Sequence, residues 1–494
     1  MNKSTNISII GGGLAGLIGA SHLARKGYNV TLFEKHHHAG GRLRSFEAKG
    51  YTFDMGPSWY WMPEVFESCF HEFGYDVSDF YQLKRLDPSY TVFWKESKPL
   101  RVPADPANLG EWFESRESGS SKKLELFLKE AEFKYNTGMK MLANNPMQNL
   151  GDYLDPSLFR HLFRLDLFTS MNRHIGHYFK DTQIRMLLGF PVLFLGGTSR
   201  QIPALYSMMN HADLNLGTWY PMGGMSEPAN AFYRIALEQG VHFHFGEEVT
   251  RIVTRDDQAI SVVTEADTYK TDGIIGAGDY HHIEQNLLPL ESRNYSESWW
   301  SRRTMAPSSL LFFVGIEESI PELTHHNLFF DEDLDRHAEQ IYNRPEWPDH
   351  PLFYLCNPSK TDSSTAPEGC ENLFFLIPVA PGLEESDEIK NRLFENVLQK
   401  LERHTGRDLK AKISFRRSFG IKDFTMEYNS YRGNAYGLAN TLLQTGVFKP
   451  SMRNPKVKNM VYAGQLTHPG PGMPPSIMSG KLAAGLLDQT MRTF

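Results

Sequence analysis

The first thirty-four residues constrain this chain more than any other stretch. Ile7-Ser8-Ile9-Ile10 is a short apolar run that meets Gly11-Gly12-Gly13-Leu14-Ala15-Gly16. Helical text follows from Ala15 to about Lys26, and Gly27 stops it. Asn29-Val30-Thr31-Leu32-Phe33 then reads as a second strand ending on Glu34. Strand, Gly-x-Gly-x-x-Gly, helix, strand and acid together make a dinucleotide-binding unit. Gly11 permits the tight turn, Gly13 lets the backbone approach a pyrophosphate, and Gly16 lets the helix pack closely on the strand. Leu14 and Ala15 open the helix, whose N–H groups and positive dipole end face the phosphates. Glu34 is placed to accept hydrogen bonds from the ribose hydroxyls of an adenosine, and Lys35 follows it.

Ala39-Gly40-Gly41-Arg42-Leu43-Arg44-Ser45 sits just beyond the acid, and Gly50-Tyr51-Thr52-Phe53-Asp54-Met55-Gly56-Pro57-Ser58 follows. Near the C-terminus stands Tyr462-Ala463-Gly464-Gln465-Leu466-Thr467-His468-Pro469-Gly470-Pro471-Gly472-Met473-Pro474-Pro475. With these three stretches the chain resembles the amine-oxidase-like flavoproteins, and within them the carotenoid desaturases of the bacterial phytoene desaturase type. The resemblance implies non-covalent FAD as cofactor, since no histidine or cysteine stands where a covalent flavin link is expected. It places the second glycine turn with Gly41 and Arg42 near the pyrophosphate, and counts Gly56, Pro57 and Ser58 among the cofactor-binding residues. The strand holding Glu248 and Val249 would lie by the adenine, and the strand ending at Gly278 near the pyrophosphate. The loop that holds Gly464, Gly472, Met473 and Pro474 would set main-chain N–H groups of a helix N-terminus against the flavin ring or ribityl chain.

The implied fold is α/β: a Rossmann-like FAD-binding domain with an inserted α+β substrate domain and a helical lid. Residues 1–80, 217–290 and 455–494 are assigned to the FAD-binding domain. Residues 81–216 and 291–454 are assigned to the substrate domain, with the lid at about 124–215. Within the second insert, Leu310–Ile316, Leu352–Cys356 and Leu373–Ile377 are strongly β-forming and suggest an antiparallel sheet with one face on a pocket. Residues 114–123 read as a polar surface loop. Pro63 and Gly74 bracket a helix, and Asp387 to about His404 reads as an amphipathic one.

Between Leu158 and Leu195, aromatic and aliphatic residues interleave with Arg160, His161, Arg164, Arg173, His174, His177, Lys180 and Arg185. Such a stripe suits either a helix resting on an anionic bilayer or a lid with its apolar face on the core. Peripheral contact with the cytoplasmic membrane is expected because a carotenoid dissolves there. The longest apolar run, Met186–Leu195, is about half the length needed to span a bilayer. The net charge of −7 gives no reason to expect nucleic acid as a partner. Three scattered cysteines, Cys69, Cys356 and Cys370, fit a reducing compartment, and no metal site is expected. His36-His37-His38 reads as a solvated loop beside the cofactor entrance.

Desaturation removes a hydride from one allylic carbon and a proton from its neighbour. Asp152 is the one candidate proton acceptor, and a surface N-cap is its competing role. Oxygen or a quinone would take the electrons. Phytoene and a 1-hydroxycarotenoid desaturated at its 3,4 bond are the two candidate substrates. Phytoene is favoured on the density of resemblance around Phe53–Pro63 and Gly217–Met225. The hydroxylated substrate adds the need for a buried hydrogen-bond partner, with His161, Arg173, His174, His177 and His211 as candidates. Two other readings stay open: a flavin amine or protoporphyrinogen oxidase, and a non-enzymatic escort protein that holds prenyl chains.

Overall fold

The computed structural model describes residues 5–144 and 165–493. β1 (Asn6–Ile10), α1 (Leu14–Arg25) and β2 (Asn29–Glu34) form the expected first unit. The two strands pair in parallel, with Ile7 opposite Val30 and Ile9 opposite Leu32. Three later strands, His242–Phe245, Gly273–Gly276 and Met460–Tyr462, join the same parallel sheet. β1 lies at its centre, between Gly273–Gly276 and β2. Ile7, Ile9, Val30, Leu32, Ile274 and Ile275 are buried, as strands covered by helices on both faces of the sheet require. α1 packs on the C-terminal helix Met473–Met491 and on Glu227–Glu238. A Cβ on Gly480 would fall 2.4 Å from the Ala15 carbonyl oxygen, so that contact requires glycine.

A second sheet has seven strands in the order Ile413–Phe419, Ser308–Ile316, Glu371–Val379, Phe353–Cys356, His326–Phe330, Tyr90–Trp94 and Leu100–Val102. Its two longest strands pair antiparallel from Ser308 opposite Val379 to Ile316 opposite Glu371. The three strands expected to form an antiparallel sheet do pair antiparallel, and the sheet becomes mixed only where His326–Phe330 and Tyr90–Trp94 pair in parallel. Strand alternation splits the side chains between two cores. Leu310, Phe312, Phe375 and Ile377 pack with Leu393, Phe394, Val397 and Leu401 of the helix Asp387–Thr405. Leu311, Phe313 and Phe374 turn the other way, toward Trp61, Phe190 and the lid.

Within the described part of the lid, Met171–Tyr178, Thr182–Gly189 and the 3-10 turn Phe190–Leu195 send Met171, Ile175, Phe179, Leu187, Leu188 and Phe190 into that same core. Its apolar stripe is thus spent on packing, with Phe168 the exposed exception at 90%. Asp152 and residues 158–164 of the expected basic stripe lie outside the described residues. The stretch 114–123 is mostly helical rather than a loop: Gly110–Arg116 ends and Ser120–Asn144 begins within four residues. The Glu114 carboxylate makes so short a turn possible by accepting from the Gly119 and Ser121 N–H groups, at 2.7 and 3.3 Å.

Candidate active site

The turn after β1 opens onto a cavity of about 390 Å³ that runs from the parallel sheet to the inner face of the mixed sheet. Gly11 has φ +106°, and a Cβ there would meet the Gly278 nitrogen at 3.0 Å. Gly13 starts α1 with no side-chain cap and no acid in the first turn. The helix Met473–Met491 begins in the same way from Gly472. Both uncapped N-termini lie on the cavity wall, a ready site for anionic or electron-rich groups. Glu34 is buried at the end of β2. Its carboxylate accepts from the Gly12 N–H at 2.7 Å and the His36 N–H at 2.9 Å, which fixes it at the cavity edge.

The second glycine turn closes on the first. A Cβ on Gly41 would lie 3.1 Å from the Gly13 Cα, and one on Gly56 would lie 2.3 Å from the Arg42 carbonyl oxygen. The Gly-Gly-Arg and Gly-Pro-Ser stretches are therefore one packed unit. Arg42 donates from Nη2 to Ser430 Oγ at 2.7 Å, and its guanidinium sits over the Tyr428 ring. Its Nε is buried with no hydrogen-bond partner among the described residues. Burial pushes Arg42 below and Asp279 above their ordinary values, and each charge partly restores the other. Lys35 Nζ donates to the Met426 carbonyl at 2.6 Å, and Glu248 Oε1 accepts from Asn429 Nδ2 at 2.8 Å. The 427–429 segment thus closes the rim. An unpartnered guanidinium Nε, two uncapped helix ends and a glycine cradle fit a dinucleotide that carries a pyrophosphate.

Beyond the cradle the lining turns apolar: Met55, Trp59, Trp61, Met62, Leu195, Met209, Leu311, Phe374 and Leu376. The polar groups there are hydroxyls, of Ser58, Ser309, Tyr354 and Tyr436. Tyr354 Oη is held by His326 Nδ1 at 2.7 Å, and His326 itself stacks on Trp59. Burial pushes His326 well below the ordinary imidazole range, so it stays neutral.

Among the residues singled out from sequence, Gly11, Gly13, Leu14, Ala15, Glu34, Lys35, Gly41, Arg42, Gly56, Pro57, Ser58, Glu248, Val249, Gly278, Gly464, Gly472, Met473 and Pro474 all line this one cavity. Gly16 does not. It lies behind the turn, where a Cβ would come within 2.0 Å of the Gly11 oxygen. His36 reaches the rim, with Nε2 2.8 Å from the Glu427 carbonyl oxygen. The described candidates for a hydroxyl partner lie elsewhere, and His161 falls outside the described residues. His174 is buried beside Lys134, His211 is tied to Asn215, and Arg173 and His177 are exposed. The lining residues Asp279, Glu427, Tyr428, Asn429, Ser309 and Tyr436 went unnoticed in the sequence. A signal existed only for Asp279, which ends the Gly273–Gly276 strand region as Glu34 ends β2.

The chain matches the family model described as "Flavin containing amine oxidoreductase" over residues 14–487. It is 38% identical over 483 residues to a carotenoid 3,4-desaturase of Haloarcula japonica, covering 98% of each chain. It is 30% identical to a zeta-carotene-forming phytoene desaturase of Myxococcus xanthus, over 98% of this chain and 94% of that one. Among solved structures, an oxidoreductase from Methanosarcina mazei aligns with TM-score 0.64 at 14% identity, covering 97% of this chain and 100% of the other. At that identity the likeness speaks for the fold.

Proposed function

This chain belongs to the flavin-containing amine oxidoreductases, and from that premise we propose that it desaturates a long acyclic carotenoid at the 3,4 bond. The observation that carries the reading is the full-length likeness to a carotenoid 3,4-desaturase. The cavity supports it, because one continuous space joins the glycine cradle to an apolar wall. FAD, when bound, supplies the hydride acceptor for the reaction. Gly11, Gly13, Gly41 and Arg42 would hold its pyrophosphate, Glu34 its ribose, and the N-terminus of Met473–Met491 the region of the ring.

The chain's own part is to orient the polyene and keep water out. Leu311, Phe374 and Leu376 stand on adjacent strands and give the flat face an extended hydrocarbon needs. No carboxylate lies along this apolar wall among the described residues. Delocalisation of the developing cation along the conjugated chain removes the need for a strong acid, and Asp152 stays the proposed proton acceptor. We assign residues 1–80, 217–290 and 455–494 to cofactor binding, supported by the five parallel strands those segments supply. No helix among the described residues is long and apolar enough to cross a membrane. Peripheral contact with lipid is the mode we propose. Exposed Phe168, Leu443 and Phe448 support it as apolar anchors. Oxygen or a quinone remains the proposed final acceptor.

The test is to offer the purified protein, with FAD and liposomes, phytoene and a 1-hydroxycarotenoid in separate reactions. Loss of two hydrogens from the hydroxylated substrate, seen by mass spectrometry and a red-shifted absorption, is the expected result. Conversion of phytoene alone would replace this reading with phytoene-type desaturation, for which the Myxococcus xanthus relative speaks.

A further inference from the structure

Two adjacent histidines and a cysteine meet in the mixed sheet, outside the cofactor cavity. His326 opens the strand His326–Phe330 and stands directly opposite Cys356 of the antiparallel strand Phe353–Cys356. His325 sits in the bend just before that strand, so it escapes the alternation that would send it to the other face. Its ring lies against that of His326, with centroids 4.4 Å apart. A ring nitrogen of each histidine and the Cys356 sulfur all lie within 4.8 Å of one another. The three residues are at most 3% exposed, and none of them lines the cofactor cavity. Each ring has one nitrogen engaged: His325 Nδ1 lies 2.7 Å from Thr361 Oγ1, and His326 Nδ1 lies 2.7 Å from Tyr354 Oη. Nε2 of both rings is buried with no hydrogen-bond partner among the described residues. The Tyr354 hydroxyl also reaches the Cys356 sulfur, so one group steadies two of the three.

An imidazole that gives one nitrogen to a hydroxyl and keeps the other free is arranged as a metal-ligating histidine is. Beside His325 and Cys356 lies a small cavity of about 10 Å³, lined also by Asp54, Tyr220 and Met225. That is space for a single ion or water and for nothing larger. The Tyr220 hydroxyl there is buried and has no hydrogen-bond partner among the described residues. We propose that His325, His326 and Cys356 bind one divalent ion of the zinc type, each histidine through one ring nitrogen. Imidazole and thiolate are ligands that zinc takes together. On binding, the Cys356 proton leaves to solvent and the sulfur donates as thiolate. With the Asp54 carboxylate, which accepts from the Met225 N–H at 3.0 Å, it supplies the two negative charges that balance the ion. Buried ligands with no room for a substrate make the ion structural: it ties the bend at His325 to the strand that carries Tyr354. No spacing motif announces it, because only strand pairing brings Cys356 to the histidines.

The ligands are buried, so the experiment supplies the metal during folding: FAD-loaded protein is produced in medium supplemented with zinc or, separately, with cobalt. After dialysis against a chelator, metal and flavin content are measured for wild type, Cys356→Ser, His325→Gln, Thr361→Val and Cys370→Ser. Wild type should retain one ion per chain, and so should Cys370→Ser, whose cysteine lies outside the cluster. Cys356→Ser and His325→Gln should lose the ion at unchanged flavin content. Thr361→Val removes only the hydroxyl that steadies His325, and it should weaken the hold on the ion about 10- to 100-fold in competition with the chelator. The cobalt protein should show thiolate-to-metal absorption in a difference spectrum against metal-free protein, and this reads the cysteine ligand in wild type without any variant. Wild type that carries no ion from either medium would leave the cavity to water and overturn the proposal. So would retention in both ligand variants equal to wild type, or a cobalt spectrum without the thiolate band.

Discussion

Two glycines of the first turn, three residues apart, should fail in different ways when each becomes alanine. At Gly16 a Cβ would sit 2.0 Å from the Gly11 oxygen, whereas real Cβ contacts stay beyond 3.0 Å. The start of α1 must therefore move about 1 Å off β1. Such overpacking costs about 1–3 kcal/mol, against which alanine's helix propensity returns about 1 kcal/mol. Gly16→Ala should thus destabilise the protein by up to about 2 kcal/mol even without cofactor, and it displaces the helix end that faces the cavity. At Gly13 the backbone has φ −74°, open to any residue, and the nearest atom to a Cβ is the Gly41 Cα at 3.9 Å. Gly13→Ala should leave the apoprotein within about 1 kcal/mol of wild type, because alanine is a poorer N-cap than glycine by about 0.5–1.5 kcal/mol and returns about 0.4–1 kcal/mol by restricting the unfolded chain. It should still weaken FAD binding roughly 5- to 150-fold, because the new methyl occupies the space of the bound group. The assay is thermal unfolding of FAD-stripped protein, repeated across FAD concentrations, with the ratio of flavin to protein absorbance as a second measure. Wild type should gain about 2.7 kcal/mol at one hundred times its Kd, and Gly13→Ala should need proportionally more FAD for the same gain. An unchanged FAD requirement in Gly13→Ala would refute the reasoning, as would a Gly16→Ala apoprotein more stable than wild type.

Two further outcomes follow from buried and exposed groups away from the turn. Lys449 is buried, its ammonium donates to Asn440 Oδ1 at 2.7 Å, and burial pushes its pKa down to about 7. Between pH 7 and the ordinary lysine value the unfolded chain binds the extra proton, so stability rises with pH across that window. Lys449→Met should flatten that rise in a pH series of thermal midpoints, and a slope equal to wild type would contradict it. For lipid contact, serine at Phe168, Leu443 and Phe448 together should reduce flotation with anionic liposomes at unchanged FAD content. Undiminished flotation would move the contact to another surface.

Much of the cofactor side could be read from the chain because its elements are local. A β-strand, a glycine turn and a helix end set Gly11, Gly13 and Glu34 within a few dozen residues of one another, and steric rules dictate which residues such a turn accepts. The second turn at Gly40–Arg42 and the loop before Met473–Met491 were legible by resemblance for the same reason: each is a short backbone motif with its own composition. The central parallel strands announced themselves as apolar runs, as burial on both faces requires, whereas the edge strand His242–Phe245 alternates histidine and phenylalanine.

What only the tertiary structure decided is which distant segments meet. Tyr354 gives no signal in its own strand, where it reads as one more aromatic residue. It lines the cavity with its Oη held by His326 Nδ1 only because the strands Phe353–Cys356 and His326–Phe330 pair antiparallel. The closure of the rim by 427–429, and the loss of most of the lid's apolar stripe to the core, likewise depend on packing between segments remote in sequence. Local backbone geometry is encoded residue by residue. The satisfaction of a buried hydroxyl, or of Arg42 Nε, is a property of everything that packs around it.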